Sequence, residues 1–337
     1  MEQPAARAKQ RPWILIVVLA IIGGLVLSCA ILPLGLFAIA SAGSPSSNQP
    51  LSAFTWQEQV VEGSGSDRIA LVEVSGVIGA GGDALFGGGL STEQLLSQIR
   101  QAAADSRVKA LLVRVDSPGG GVVASAEIHS ELQAVRESGK PVVISMGSTA
   151  ASGGYYIATA ADRIYAHPDT LTGSLGVIIS YLRTDELYET LGVAQQVYKS
   201  GPLKDIGSAA RPPTPEEDAV FQSVVDEAYQ GFVDRIVEGR KLPREEVLRI
   251  ADGRIYTGKQ ALDLKLVDLL GDQDDAIAGT KELANLSDAL VVRYTASGSL
   301  RDILLGASAR LDQPADPLGV RELLRPGELL LEYRLVP

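Results

Sequence analysis

The sequence predicts an α/β fold with a largely parallel sheet. Three observations carry that reading. Strand-like and helix-like segments alternate from about residue 67 onward. The strand segments are apolar along their length rather than alternating, as expected when helices cover both faces of a sheet. Two of them run into glycine-rich turns, DSPGGG (116–121) and AASGG (150–154), where a strand passes into a helix.

The elements follow in order. DRIALVEVSGVI (67–78) is a β-branched run that reads as a buried strand. GAGGDALFGGG (79–89) has no following G-K-[ST], so it reads as a loop at the rim of a site and not as a phosphate cradle. STEQLLSQIRQAAAD (91–105) places Ser91 and Gln94 in capping-box positions and Leu95, Leu96, Ile99 and Ala103 on one face, an amphipathic helix. VKALLVRV (108–115) is a second strand, ending in a tight turn over 116–121. VVASAEIHSELQAVRESGK (122–140) is helical, with Gly139 just past its end. PVVISMGS (141–148) is a third strand, GGYYIATAAD (153–162) a helix and RIYAHP (163–168) a short strand. A long helix over 214–240 opens with Thr214 as cap, Pro215 at its first position and Glu217 completing the capping box. From Ser297 the leucines and prolines scatter without a period, so 297–337 reads as a tail.

The chain has 337 residues, enough for one large or two ordinary domains. A net charge of −11 argues against a nucleic-acid partner. One cysteine, Cys29, excludes an intrachain disulfide. With that cysteine, two separated histidines (His129 and His167) and no H-E-x-x-H, no zinc site can be built from thiols and imidazoles. No cofactor is expected. Residues 1–12 carry Arg7, Lys9 and Arg11, and Trp13–Leu32 holds 20 residues without a charge, enough to span a bilayer. A cleaved signal peptide ending at Ala40–Ala42, or a lipoprotein signal acylated at Cys29, competes with this. The apolar character continues well past Cys29, so an uncleaved anchor over 13–40 fits best. The basic end then stays cytoplasmic and the rest faces outward. The polar stretch 41–66 reads as a linker and 67–296 as the globular domain.

In an open α/β sheet, ligands bind beyond the carboxyl ends of the strands. Ser152 and the glycines at 119–121 should both lie there. A serine at a helix start gains from the positive end of the dipole, and the N–H groups of a Gly-Gly turn can face an oxyanion. Ser152 as nucleophile and Gly119 as donor form a coherent pair. Neither histidine suits the role of base: His129 falls inside a helix and His167 precedes a proline. A lysine can serve where burial lowers its pKa from about 10.4 toward neutrality. Lys199 and Lys204, in VYKSGPLKDIGS (197–208), are both candidates. SRVK (106–109) matches S-x-x-K, but the chain lacks S-D-N and K-T-G, so the match is chance. Asp116 is a third triad member or, more often for an Asp at a strand end, a turn cap.

Taken together, RVDSPGG, SMGSTAASGGYYIATAADRIYAHPDTLTGSLGVI, KSGPLKD and ADGRIYTGKQALDLKLVDLLG resemble the membrane-bound serine–lysine proteases of the signal peptide peptidase (protease IV) family. The match runs from about Asp67 to Asp275 in the order of that family's shorter, single-copy form. The resemblance implies the crotonase and Clp-protease superfamily fold. It implies Ser152 as nucleophile, Lys204, 52 residues on, as general base, and Gly119 with Gly153 as oxyanion-hole donors. It implies Ser174 as the serine holding the lysine amine, and favours Lys204 over Lys199 through the Lys-Asp pair. It further implies a homo-oligomer with the lysine supplied by a neighbouring subunit, and remnant signal peptides as substrates. A non-catalytic membrane scaffold and a crotonase-type acyl-CoA enzyme are the competing readings of such a fold.

Overall fold

The computed structural model describes residues 56–79, 91–296 and 331–334, all within the unit Phe54–Pro337. The anchor expected at 13–40 and the loop from 80 to 89 lie outside the described residues. Among the described residues, no helix is long and apolar enough to cross a membrane.

Among the described residues the main sheet has nine strands. Its continuous path is β1 (Trp56–Glu62), β11 (Leu290–Ala296), β2 (Arg68–Ser75), β3 (Val108–Ser117), β5 (Val142–Ala151), β6 (Arg163–Ala166) and β10 (Leu269–Leu270). Along this path every neighbouring pair from β11 to β10 is parallel, and the edge strand β1 pairs antiparallel with β11. A branch, β7 (Leu171–Gly173) with β9 (Ile255–Thr257), continues from the end of β5.

The strands are apolar throughout because both faces of the sheet are covered. Leu111, Val113, Val115, Val142, Ile144 and Met146 point into the larger core. There they meet helices α1 (Thr92–Ala104), α2 (Val122–Glu137) and α3 (Gly153–Ala158). The alternate positions Ile69, Leu71, Ala110, Leu112 and Val143 form a second core under α8 (Gln273–Leu283). Each fully buried Leu or Ile contributes about 1.5–3 kcal/mol. A one-residue register slip would exchange the two sets.

Three boundaries differ from the expectations. The stretch read as a linker to residue 66 ends in strand β1, whose Trp56 is buried and donates through Nε1 to Ser97 Oγ at 2.8 Å. The rest of β1 is mostly exposed, so its sequence lacks an apolar signature; backbone pairing with β11 makes it a strand. The tail contributes β12 (Leu331–Arg334), which pairs antiparallel with β4 (Gly119–Gly121) and with β8 (Ile178–Ile179) in a separate three-stranded sheet. The expected tight turn at 119–121 is that strand β4 (Gly119–Gly121). Glycine is required there. A Cβ on Gly120 would lie 2.0 Å from the carbonyl oxygen of Ile78, whose backbone bonds to Gly119 and Gly121.

Candidate active site

Strand β5 runs three residues past the expected Ser148 and stops at Ala151, so Ser152 is the hinge between β5 and α3. Two buried threonines hold that end of the strand. Thr170 donates to Gly147 O at 2.7 Å and Thr172 to Ala150 O at 2.6 Å. Ser152 turns the chain with φ 52° and ψ −115°, a strained backbone for any residue with a Cβ. Its N–H donates to Gly173 O and its carbonyl accepts from Tyr156 N, both at 2.8 Å. Its side chain is 1% exposed, and Oγ has no hydrogen-bond partner among the described residues. A buried, strained and unpartnered hydroxyl at a strand-to-helix turn is poorly explained by stability and well explained by chemistry.

Glycines let the surroundings close on it. A Cβ on Gly153 would meet Ser125 Oγ at 2.6 Å, Gly119 Cα at 3.2 Å and Gly120 N at 3.2 Å. One on Gly154 would meet Ser117 O at 2.9 Å. The close packing of α3 on the end of β3 therefore also brings the Ser152–Gly153 backbone against the glycine strand. As the first residue of α3, Gly153 carries an N–H without an intrahelical acceptor. Gly119 N–H donates to Ser117 Oγ at 3.1 Å, so an oxyanion drawing on that N–H must share it with the Ser117 hydroxyl. Ser117, which also donates to Gly76 O at 2.6 Å, read in the sequence only as a turn residue before Pro118.

Ser174 is beside this centre. The β5–β7 ladder pairs Ala151 with Gly173, so Ser152 and Ser174 follow in adjacent positions. Ser174 also has a positive φ, 50°, and its N–H donates to Arg254 O at 2.8 Å. It opens onto a cleft of about 560 Å3, lined also by Val177, Ile178, Val225, Tyr229 and Gly253. Across the site, β12 lies between β4 and β8, an extended segment bonded on both edges beside the Ser152 turn.

The two lysines differ sharply. Lys199 Nζ donates to Asp205 Oδ1 at 2.6 Å and to Pro202 O at 2.8 Å, so it is engaged. Lys204 is exposed, and its amine has no hydrogen-bond or ion-pair partner among the described residues. The next residue, Asp205, is gripped by Arg211 through two bonds of 2.8 and 3.0 Å. Arg211 in turn holds Glu217, the capping residue of α5 (Pro215–Arg240). The Arg211 guanidinium, with Lys199, holds the Asp205 carboxyl far below the usual carboxylate range, and Arg211 with the Thr214 N–H lowers Glu217 to about 2. This ion cluster fixes the turn that presents Lys204; in the sequence, Glu217 read only as a helix cap. The structure thus brings together Ser152, Gly153, Gly119 and Ser174. It does not bond Lys204 to Ser152 within one chain.

The remaining candidates have structural settings. Asp116 Oδ1 accepts from Thr149 N at 3.0 Å and pins β5 to β3. Lys109 donates to the carbonyl of Ser106, not to its hydroxyl. His167 is exposed and its Nδ1 accepts from Asp169 N. His129 is buried edge-on against Tyr156, ring centroids 5.3 Å apart. Burial, with the charges of Arg235 and Arg136, lowers its pKa to about 4. Its neutral form is the one that folds. Stability from this group is complete above the unfolded value near 6.5 and is lost as pH falls from there toward 4. The expected result for His129→Gln is a flatter melting temperature between about pH 6.5 and 4 than in the wild type, measured by thermal denaturation. Parallel curves would exclude His129 as the titrating group.

Comparison with known proteins adds an independent line. The sequence pattern of peptidase family S49 matches residues 134–287. A protein of Enterococcus faecium named for signal peptide peptidase SppA is 41% identical over 240 residues, covering 71% of this chain and 70% of its own length. A protein of Synechocystis named as a protease is 41% identical over 260 residues, covering 77% of this chain and 90% of its own. The chloroplastic serine protease SPPA of Arabidopsis thaliana is 37% identical over 249 residues, 72% of this chain and 37% of that protein.

Proposed function

Because the chain belongs to peptidase family S49, the family of signal peptide peptidase SppA, we propose that it is a serine endopeptidase working through Ser152 and Lys204. The observation that carries this reading is the state of Ser152: buried, strained and with an unpartnered hydroxyl, at the start of a helix and against a glycine strand.

The chemistry follows from that placement. The neutral Lys204 amine takes the proton of Ser152 Oγ, and Oγ attacks the peptide carbonyl carbon. The carbonyl π electrons move onto oxygen, which accepts from the N–H groups of Gly153 and Gly119. Collapse breaks the C–N bond, and the lysine ammonium returns its proton to the leaving amine. Water, deprotonated by the same amine, then attacks the acyl carbon; the C–Oγ bond breaks, and the lysine ammonium returns the proton to Ser152 Oγ. Ser174, next to Ser152, is suited to hold the lysine amine in line.

Within one chain the base is missing from the nucleophile, which supports a dyad completed by a second copy. The segment leading to Lys204 supports the same reading. Helix α4 (Asp185–Leu191) buries none of its residues, and Leu182, Leu187, Leu191, Val193 and Tyr198 are all more than half exposed. An apolar arm of this kind calls for a cover. Docking on a second copy would bury it and would desolvate Lys204, which favours the neutral amine a base must be. The crotonase and Clp-protease fold implied by the motifs goes with such assembly.

The substrate is an extended peptide. A segment already lies as a strand between β4 and β8, which supports main-chain recognition with few demands on sequence. With the apolar stretch 13–40 as an anchor and the catalytic domain outside the cytoplasm, apolar peptides left in the membrane by signal-peptide cleavage suit this site. In the full-length protein, Ser152→Ala and Lys204→Met are each expected to reduce cleavage of a fluorogenic apolar peptide by at least about 10³-fold while leaving the circular dichroism unchanged. Cleavage retained in Ser152→Ala would sink the reading; a wild type inert to peptides and to serine-directed fluorophosphonates would favour a non-catalytic scaffold.

A further inference from the structure

A second buried hydroxyl, that of Ser125 on α2, is also without a hydrogen-bond partner among the described residues. Ser125 is fully buried and one turn before His129 on the same face of its helix. Its Oγ sits 2.6 Å from the position a side chain on Gly153 would occupy. The same point is 3.2 Å from Gly119 Cα and 3.2 Å from Gly120 N. Ser125 therefore fills the gap behind the residue that follows the nucleophile, at the junction of the two backbone segments that carry the oxyanion donors.

We propose that Ser125 is a positioning residue for catalysis: its hydroxyl, wedged behind Gly153, sets the orientation of the Ser152–Gly153 peptide and so aims the Gly153 N–H at the oxyanion. The inference rests on the peptidase reading above. Two points argue for it over simple packing. A buried hydroxyl with no partner destabilises the fold, and alanine at 125 would avoid that cost. Its wedge also bears on the strained turn at Ser152, φ 52°, where a small relaxation moves the proposed nucleophile and the adjacent donor together. An error of about 1 Å at such a centre costs on the order of 100-fold in rate.

The test is steady-state peptide cleavage by the full-length protein carrying Ser125→Ala or Ser125→Cys, with a peptide boronate as a mimic of the tetrahedral state. For Ser125→Ala the expected result is a fall in kcat of about 10- to 100-fold, with KM within twofold, because ground-state binding lies on β4 and β8. Boronate affinity should fall in parallel with kcat, and the melting temperature should not drop. Ser125→Cys, which refills the space, should recover most of the lost kcat. A Ser125→Ala protein with kcat within twofold of an active wild type would overturn this inference alone. So would a loss in which kcat, KM and melting temperature all worsen together, since that is the mark of packing. An inert wild type would overturn the peptidase reading, and this inference with it.

Discussion

Mixing full-length Ser152→Ala chains with Lys204→Met chains is expected to restore peptide cleavage that neither variant shows alone. The argument rests on what each chain retains. The first keeps Lys204 and the second keeps Ser152, so a site formed across a contact can draw its nucleophile from one and its base from the other. In a closed ring of equal, randomly mixed subunits, one contact in four joins the two intact groups in the productive sense, so activity should return to roughly a quarter of wild type. Co-expression with two affinity tags, followed by sequential purification, yields the mixed assembly. A mixed assembly as inactive as the single variants would show that the two groups must come from one chain, or that one of them is wrongly assigned. The structure motivates the experiment directly. Among the described residues Ser152 Oγ has no hydrogen-bond partner, while Lys204 is exposed on a turn held by the Asp205–Arg211–Glu217 cluster. A lysine held away from its own serine is available to another.

Ser152→Gly is expected to abolish cleavage and to leave the protein more stable than Ser152→Ala. The loss should be at least about 10³-fold, because glycine removes the hydroxyl proposed as the nucleophile. The stability gain has a separate cause. At φ 52° and ψ −115°, a residue with a Cβ carries about 1–3 kcal/mol of strain. Alanine keeps that strain and glycine releases it, at a cost of roughly 0.5–1 kcal/mol in unfolded-state entropy. Glycine should therefore exceed alanine by about 1 kcal/mol, read as a higher urea midpoint with an unchanged slope. Glycine less stable than alanine would mean that the turn is not strained in solution. The contrast separates two properties of one position: the hydroxyl proposed for the chemistry, and the strained backbone that carries it.

Much of this was legible in the sequence because it rests on local patterns. The long apolar runs at 67–78, 108–115 and 141–148 were strands, since a strand buried on both faces needs no alternation. The capping boxes at Ser91/Gln94 and Thr214/Glu217 marked two helix starts to the residue. Ser152 was conspicuous because a hydroxyl among Ala and Gly at a strand end has few structural uses. The lysine was harder. In sequence, Lys199 and Lys204 are two cations in one polar turn, and motif resemblance alone separated them. The fold adds a physical difference: the Lys199 amine is bonded to Asp205, while the Lys204 amine has no partner among the described residues.

The sequence by itself determined the class of the fold, most of its helices and inner strands, and the serine at its centre. These depend on hydrophobic period and capping within a dozen residues. Tertiary structure alone decided the rest. Strand β1 exists because β11, more than 200 residues later, pairs with it, and β12 because two distant edges receive it. Gly119–Gly121 is a strand and not a turn because the backbone of Ile78 lies against it. The strain at Ser152 and the orphaned hydroxyl of Ser125 arise where α2, α3 and β4 converge. Backbone pairing and steric closure between distant segments leave no period in the local sequence, so they become visible only once the chain has folded.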